Sequence, residues 1–129
     1  MQNRPLSILV AEDDQITRQR LLLFLHEAGH TVTAVDDGLK AFESVSMHKP
    51  DVILSDWDMP QMDGLELCER LRENPMTRAI YFILLTGDLE GSERERKIHE
   101  STIDELILKP WEPRVLSVRL QSLQRQLSD

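Results

Sequence analysis

Asp51-Val52-Ile53-Leu54-Ser55-Asp56-Trp57-Asp58-Met59-Pro60-Gln61-Met62-Asp63-Gly64 is the stretch on which the reading of this chain turns. An apolar run, Val52 to Leu54, ends in an acid, Pro60 forbids further strand pairing, and Asp63-Gly64 opens a helix. A short apolar run bounded by turn signals reads as a buried strand of a parallel sheet. Ligands of open parallel sheets sit outside the carboxyl ends of the strands, so Asp56 stands where chemistry is normally done. Taken alone, a strand-end aspartate more often just caps a turn.

Other strand ends change that balance. Ser7-Ile8-Leu9-Val10-Ala11 runs into Glu12-Asp13-Asp14, and Tyr81-Phe82-Ile83-Leu84-Leu85 runs into Thr86-Gly87. A shorter run, Glu105-Leu106-Ile107-Leu108, delivers Lys109-Pro110. If these strands are parallel neighbours, carboxylates, a hydroxyl and an ammonium meet on one edge of the sheet.

The chain of 129 residues is read as one domain with its own core. Its 40% hydrophobic and 29% charged content is ordinary for a globular protein. No apolar run reaches the length of a membrane span, and Met1 to Pro5 lacks the apolar core of a signal peptide. One cysteine excludes an internal disulfide, and a reducing, cytoplasmic setting is expected. A net charge of -8 argues against direct binding to nucleic acid or an anionic membrane and leaves proteins as the expected partners.

In chain order, helix one is expected over Gln15–Ala28, capped by Asp14 and closed by Gly29, with Thr17, Leu21, Phe24, Leu25 and Ala28 on one face. Thr31 to Val35 suits an edge strand, and Asp36-Asp37-Gly38 turns into a helix from about Leu39 to Met47. Leu67, Cys68 and Leu71 line helix three, so Cys68 reads as core rather than nucleophile. Leu89 to Glu100 is helical by position but highly charged, with Ile98 its clearest apolar anchor. Glu90 with Arg94, and Glu93 with Lys97, can form i,i+4 pairs. Weak burial makes this helix a candidate for the mobile part of the fold, although a solvated surface helix explains it as well. Pro113 opens the last helix, where Leu116, Leu120, Leu123 and Leu127 form either a core face or a seam to a second copy. Five strand–helix units give a doubly wound α/β sheet.

The converging residues have a shared chemical logic. Aspartate is a weak nucleophile toward phosphorus, so a site that uses one must neutralise charge and align the donor. Glu12, Asp13 and Asp56 would repel one another and bind a hard divalent cation; Mg²⁺ suits them, with the Asp58 carbonyl as a further ligand. Lys109 would pair with phosphoryl oxygens, and the Thr86 hydroxyl could hydrogen-bond another.

In this order and spacing the motifs resemble the receiver domain of two-component response regulators over nearly the whole chain, about residues 6–127. The resemblance implies a flavodoxin-like (βα)5 fold with strand order 2-1-3-4-5, an order the general account of doubly wound folds itself illustrates with a receiver protein. It implies that Asp56 accepts a phosphoryl group from a phosphohistidine on a sensor kinase or histidine phosphotransfer protein. Asp13 then matches the direct metal ligand, Glu12 the acid that holds the ion through water, Thr86 the switch hydroxyl and Lys109 the phosphate-binding lysine. Lys109-Pro110 matches a bond that is cis in the family; Met59-Pro60, Met62-Asp63-Gly64 and Asp37-Gly38 match its loops.

Some positions depart from the pattern. Leu106 stands where the family usually has the Tyr or Phe that swings inward, and Thr102 where it usually has Gly. Asp58 and Asp88 fall at variable positions that tune how long the phosphoryl group lasts. The resulting expectation is a phosphoacceptor switch rather than an enzyme, which assists its own phosphorylation and dephosphorylation. The surface of helix four, strand five and helix five would be read by a partner, by a fused output domain or by a second copy in a homodimer. No output segment is visible in the sequence, so a stand-alone relay and a receiver taken from a longer regulator both fit. Two rivals remain. Asp56-Trp57-Asp58 reads as the D-x-D of haloacid dehalogenase-like phosphohydrolases, and a receiver-fold binding module that is never phosphorylated would share the fold.

Overall fold

In this computed structural model, residues 4–87 and 89–127 are described, so Asp88 and its expected tuning role lie outside the described residues. Strands β1 (Ser7–Ala11), β2 (Thr31–Val35), β3 (Val52–Asp56), β4 (Tyr81–Thr86) and β5 (Glu105–Leu108) alternate with five helices. The helices are α1 (Gln15–Glu27), α2 (Gly38–Met47), α3 (Gly64–Glu73), α4 (Ser92–Glu100) and α5 (Pro113–Leu127). The strands form one parallel sheet in the order β2-β1-β3-β4-β5, as expected.

Alternating strand side chains point to opposite faces, and the core follows that period. Ile8, Val10, Val52, Leu54, Ile83 and Leu85 face Leu21 and Leu25 of α1 and Leu116, Leu120 and Leu123 of α5. Leu9, Ala11, Ile53, Phe82 and Leu84 face Ala41 and Val45 of α2 and Leu67, Cys68 and Leu71 of α3. β3, with every residue buried, lies in the sheet centre; β2, with none fully buried, lies at its edge.

The helix starts follow from their caps. Asp14, Asp37 and Asp63 each accept a hydrogen bond from a backbone N–H three residues on: Thr17, Lys40 and Glu66. Each such cap is worth ~1 kcal/mol. α4 is the exception. It begins at Ser92 rather than near Leu89, because Gly91 takes φ 99°, outside helical space, and offers no side chain to cap it. On α4 the Glu93 carboxylate pairs with Arg96 at 3.5 Å rather than with Lys97.

Two further expectations change on packing. α1 ends at Glu27, and Ala28, its C-cap, is exposed rather than part of the buried face. Leu127 is 43% exposed, so the leucine series of α5 is a core face of three residues with a loose end. Cys68 is core, as expected: burial pushes its thiol pKa up, which disfavours the reactive thiolate.

Close approaches fold the Asp56–Gly64 loop back on the sheet. Gly64 donates its N–H to the Trp57 carbonyl at 2.8 Å, and a Cβ on Gly64 would collide with the Asp56 carbonyl. Gly38 likewise lies directly against the Met62 backbone. These contacts explain why both loop motifs need glycine.

Candidate functional site

The register of the central strands brings their carboxyl ends level. Asp56 ends β3 beside Leu85, and Thr86 ends β4 beside Leu108, the residue before Lys109. Ala11 pairs with Ser55, so Glu12 and Asp56 leave neighbouring strands one residue later. Each of these side chains reaches the same edge of the sheet from a different strand.

Glu12 is 1% exposed, Asp56 9% and Thr86 1%. Lys109 joins the two buried acids: its Nζ donates to Glu12 Oε1 at 2.7 Å and lies 3.3 Å from Asp56 Oδ1. Asp56 Oδ1 also accepts the Trp57 N–H at 2.8 Å, and Glu12 Oε2 accepts the Asp14 N–H at 3.1 Å. The Lys109 backbone N–H donates to the Thr86 carbonyl at 2.8 Å, and the Lys109–Pro110 bond is cis. Glu12, Asp13 and Asp56 offer carboxylate oxygens that all lie within 4.8 Å of one another.

Charge is poorly balanced here. Burial pushes the Asp56 pKa up, and Lys109 only partly pulls it back. Burial also raises that of Glu12; the Lys109 hydrogen bond opposes this and the Asp56 charge adds to it. For Lys109, burial disfavours the charge, but the Glu12 hydrogen bond and both nearby acids outweigh it and raise the pKa. Lys109 contacts two of the three clustered carboxylates, so a hard cation with oxygen ligands fits the donor set.

The structure therefore brings Glu12, Asp13, Asp56 and Lys109 together, with Thr86 buried on the adjacent strand end. The Asp58 side chain is elsewhere: its carboxylate is 68% exposed and pairs with Arg94 Nη2 of α4 at 3.1 Å. The Arg94 guanidinium carbon also lies 3.7 Å from the centre of the Trp57 ring. Sequence reasoning missed this contact. Arg94 and Arg96 look alike in a charged helix, and only tertiary placement separates them. It also missed Arg18, whose Nη1 donates to the Glu12 carbonyl at 2.9 Å and steadies the acidic loop.

The comparisons with known proteins agree with this geometry. The response regulator receiver domain family matches residues 8–121. The phosphate regulon transcriptional regulatory protein PhoB of Escherichia coli (strain K12) is 31% identical over 121 residues, covering 94% of this chain and 52% of that protein. The chain thus spans about half the length of the curated relatives it matches. Among solved structures, the signal receiver domain of a signal transduction histidine kinase from Syntrophus aciditrophicus superposes with a TM-score of 0.88 at 34% identity, covering 93% of this chain and 90% of that one. The receiver domain of sensor histidine kinase PA1611 from Pseudomonas aeruginosa PAO1 gives a TM-score of 0.85 at 26% identity, covering 94% and 98%, and carries a magnesium ion in its active site cleft. Among the described residues, no helix is long and apolar enough to cross a membrane.

Proposed function

This chain belongs to the response regulator receiver domain family, and from that premise we propose that Asp56 is its phosphoacceptor and that the whole chain is one receiver unit. The observation that carries this reading is the buried Asp56 carboxylate with Glu12, Asp13 and Lys109 converging on it.

The donor is a phosphohistidine on a sensor kinase or phosphotransfer protein. An Asp56 carboxylate oxygen forms a bond to phosphorus as the phosphorus–nitrogen bond of the donor breaks, and the imidazole leaves with the electron pair. Lys109 neutralises charge on the transferring oxygens, as the ammonium already beside Asp56 can do. The Thr86 hydroxyl, on the neighbouring strand end, donates to another phosphoryl oxygen. Glu12, Asp13 and Asp56 would hold Mg²⁺, with the Asp58 backbone carbonyl as a further ligand. When bound, the ion would supply charge neutralisation on the phosphoryl oxygens. Water later attacks the acyl phosphate and releases inorganic phosphate, and Asp56 is regenerated; the chain assists both steps without turning over a separate substrate. The modified site acts in the cytoplasm and changes the surface of α4, β5 and α5 for a protein partner, an output domain or a second copy.

The phosphohydrolase reading loses its support, because the acids that complete the site come from the end of β1, and family membership does not favour it. A binding module that is never phosphorylated is disfavoured by the same intact site.

Intact mass after incubation with Mg²⁺ and acetyl phosphate tests the proposal. One added phosphoryl group is expected on the wild type and none on Asp56→Asn, with the adduct absent when Mg²⁺ is chelated. An equal adduct on both proteins would overturn the assignment of Asp56.

A further inference from the structure

We infer that Arg94 is a positioning residue of the phosphoryl site, the link through which the state of Asp56 reaches α4. The inference rests on Asp56 being the phosphoacceptor.

α4 has few ways to hold on to the domain. None of its described side chains is fully buried, and Ile98 is its one half-buried apolar contact with the core. Its N-terminus carries no side-chain cap. Its intrahelical ion pairs, Arg96 with Glu93 and with Glu100, join exposed groups and contribute little docking energy.

Arg94 differs from its neighbours on the helix. Its side chain is 26% exposed, and its guanidinium makes two contacts with consecutive residues of the loop that follows β3. It lies 3.7 Å from the centre of the Trp57 ring and 3.1 Å from Asp58 Oδ2. Those residues directly follow Asp56, and Trp57 is tied to it: the Trp57 N–H donates to Asp56 Oδ1 at 2.8 Å. One hydrogen bond therefore separates the acceptor carboxylate from the residue whose ring Arg94 covers.

A phosphoryl group on Asp56 changes the demands on that same carboxylate oxygen and places new negative charge two residues from Asp58. A planar guanidinium stacked on one residue and paired with the next responds to both changes. Leu106 adds a reason for such a link. It packs against the core cluster on the α4 side of the sheet, and a leucine has no ring or hydroxyl with which to report the site to the surface. In this chain Arg94 makes that connection instead.

The experiment is amide hydrogen exchange of α4 in wild type, Arg94→Gln and Arg94→Lys. Each is measured without ligand and after loading with Mg²⁺ and beryllium fluoride, a phosphoryl mimic, with loading followed separately by fluorine NMR. Without ligand, α4 amides in Arg94→Gln should exchange faster, on the order of fivefold, with Arg94→Lys between the two because it keeps charge but loses the flat stack. With ligand, the wild type should show altered α4 exchange, while Arg94→Gln should load yet show less than half of that change. Unchanged α4 exchange in unloaded Arg94→Gln would overturn the inference, as would a full loading response in that variant. Failure of the wild type to load would instead count against Asp56 as the acceptor, and the unloaded comparison would still decide the role of Arg94.

Discussion

At the scale of single residues, the site is an unfavourable cluster that the fold holds together. Asp56 and Glu12 are buried side by side with Lys109 between them. A carboxyl group whose pKa is raised by folding stabilises the folded state most at low pH. That contribution is lost as pH rises through the folded value. Both acids follow this sign. Without divalent metal, Asp56→Asn should therefore melt several degrees above wild type at neutral pH, and the gap should shrink as pH falls toward the ordinary carboxyl range. Thermal melts in chelator across that range check both the sign and the trend. The Glu12 carboxylate, which accepts from Lys109 at 2.7 Å in the wild type, should keep Lys109 engaged in this variant.

The unusual positions at this scale resolve differently from one another. Thr102 stands where glycine is usual in the family, yet among the described residues Gln61 is the only non-glycine with positive φ. The local backbone at Thr102 thus has no need of glycine. Leu106 keeps the apolar contact expected of its position but brings no polar group with it.

At the scale of elements, the ends of α3, α4 and β4 are stapled by one side chain that sequence patterning did not single out. Arg72 of α3 donates to the carbonyls of Thr102, Arg78 and Ile80 and to the Asp104 carboxylate. Asp104 in turn accepts the Phe82 N–H at 2.7 Å. Arg72→Ala leaves several carbonyls and a carboxylate short of a donor, and should cost about 2–3 kcal/mol. Urea unfolding should show a lower midpoint with an unchanged slope. Nothing about Arg72 in the sequence separates it from Arg70, which makes only a long 3.9 Å pair with Glu66 one turn away. By contrast, α1, α2 and α3 were legible because aspartate caps and apolar spacing agreed, whereas the start of α4 was set by the φ of Gly91.

At the scale of the whole molecule, the chain carries a net charge of -8, and three of its carboxylates cluster at one edge of the sheet. Binding of a divalent cation to the folded state alone should stabilise it by mass action, about 2.7 kcal/mol at a hundredfold excess over Kd. Mg²⁺ should therefore raise the melting temperature of wild type, and Asp13→Asn should lose most of that rise while its metal-free melting temperature stays close to wild type. Differential scanning calorimetry with and without Mg²⁺ separates the two effects. An equal rise in both proteins would remove Asp13 from the metal site.

The sequence by itself determined the strands, most of the helices and which polar residues stand at the carboxyl ends of the strands. Period-two and period-3.6 patterns, strand-end acids and turn residues are local signals, and they agree with one another. Only the tertiary structure decided which of those residues touch. Lys109 meets Glu12 at a sequence separation of 97 because parallel strands in register align their ends, and this is a property of the sheet. The choice of Arg94 over Arg96 to meet Trp57, and of Arg72 over Arg70 to meet Asp104, depends on how each helix lies against its neighbours. Along a charged helix the long side chains look alike in sequence, and packing decides their partners.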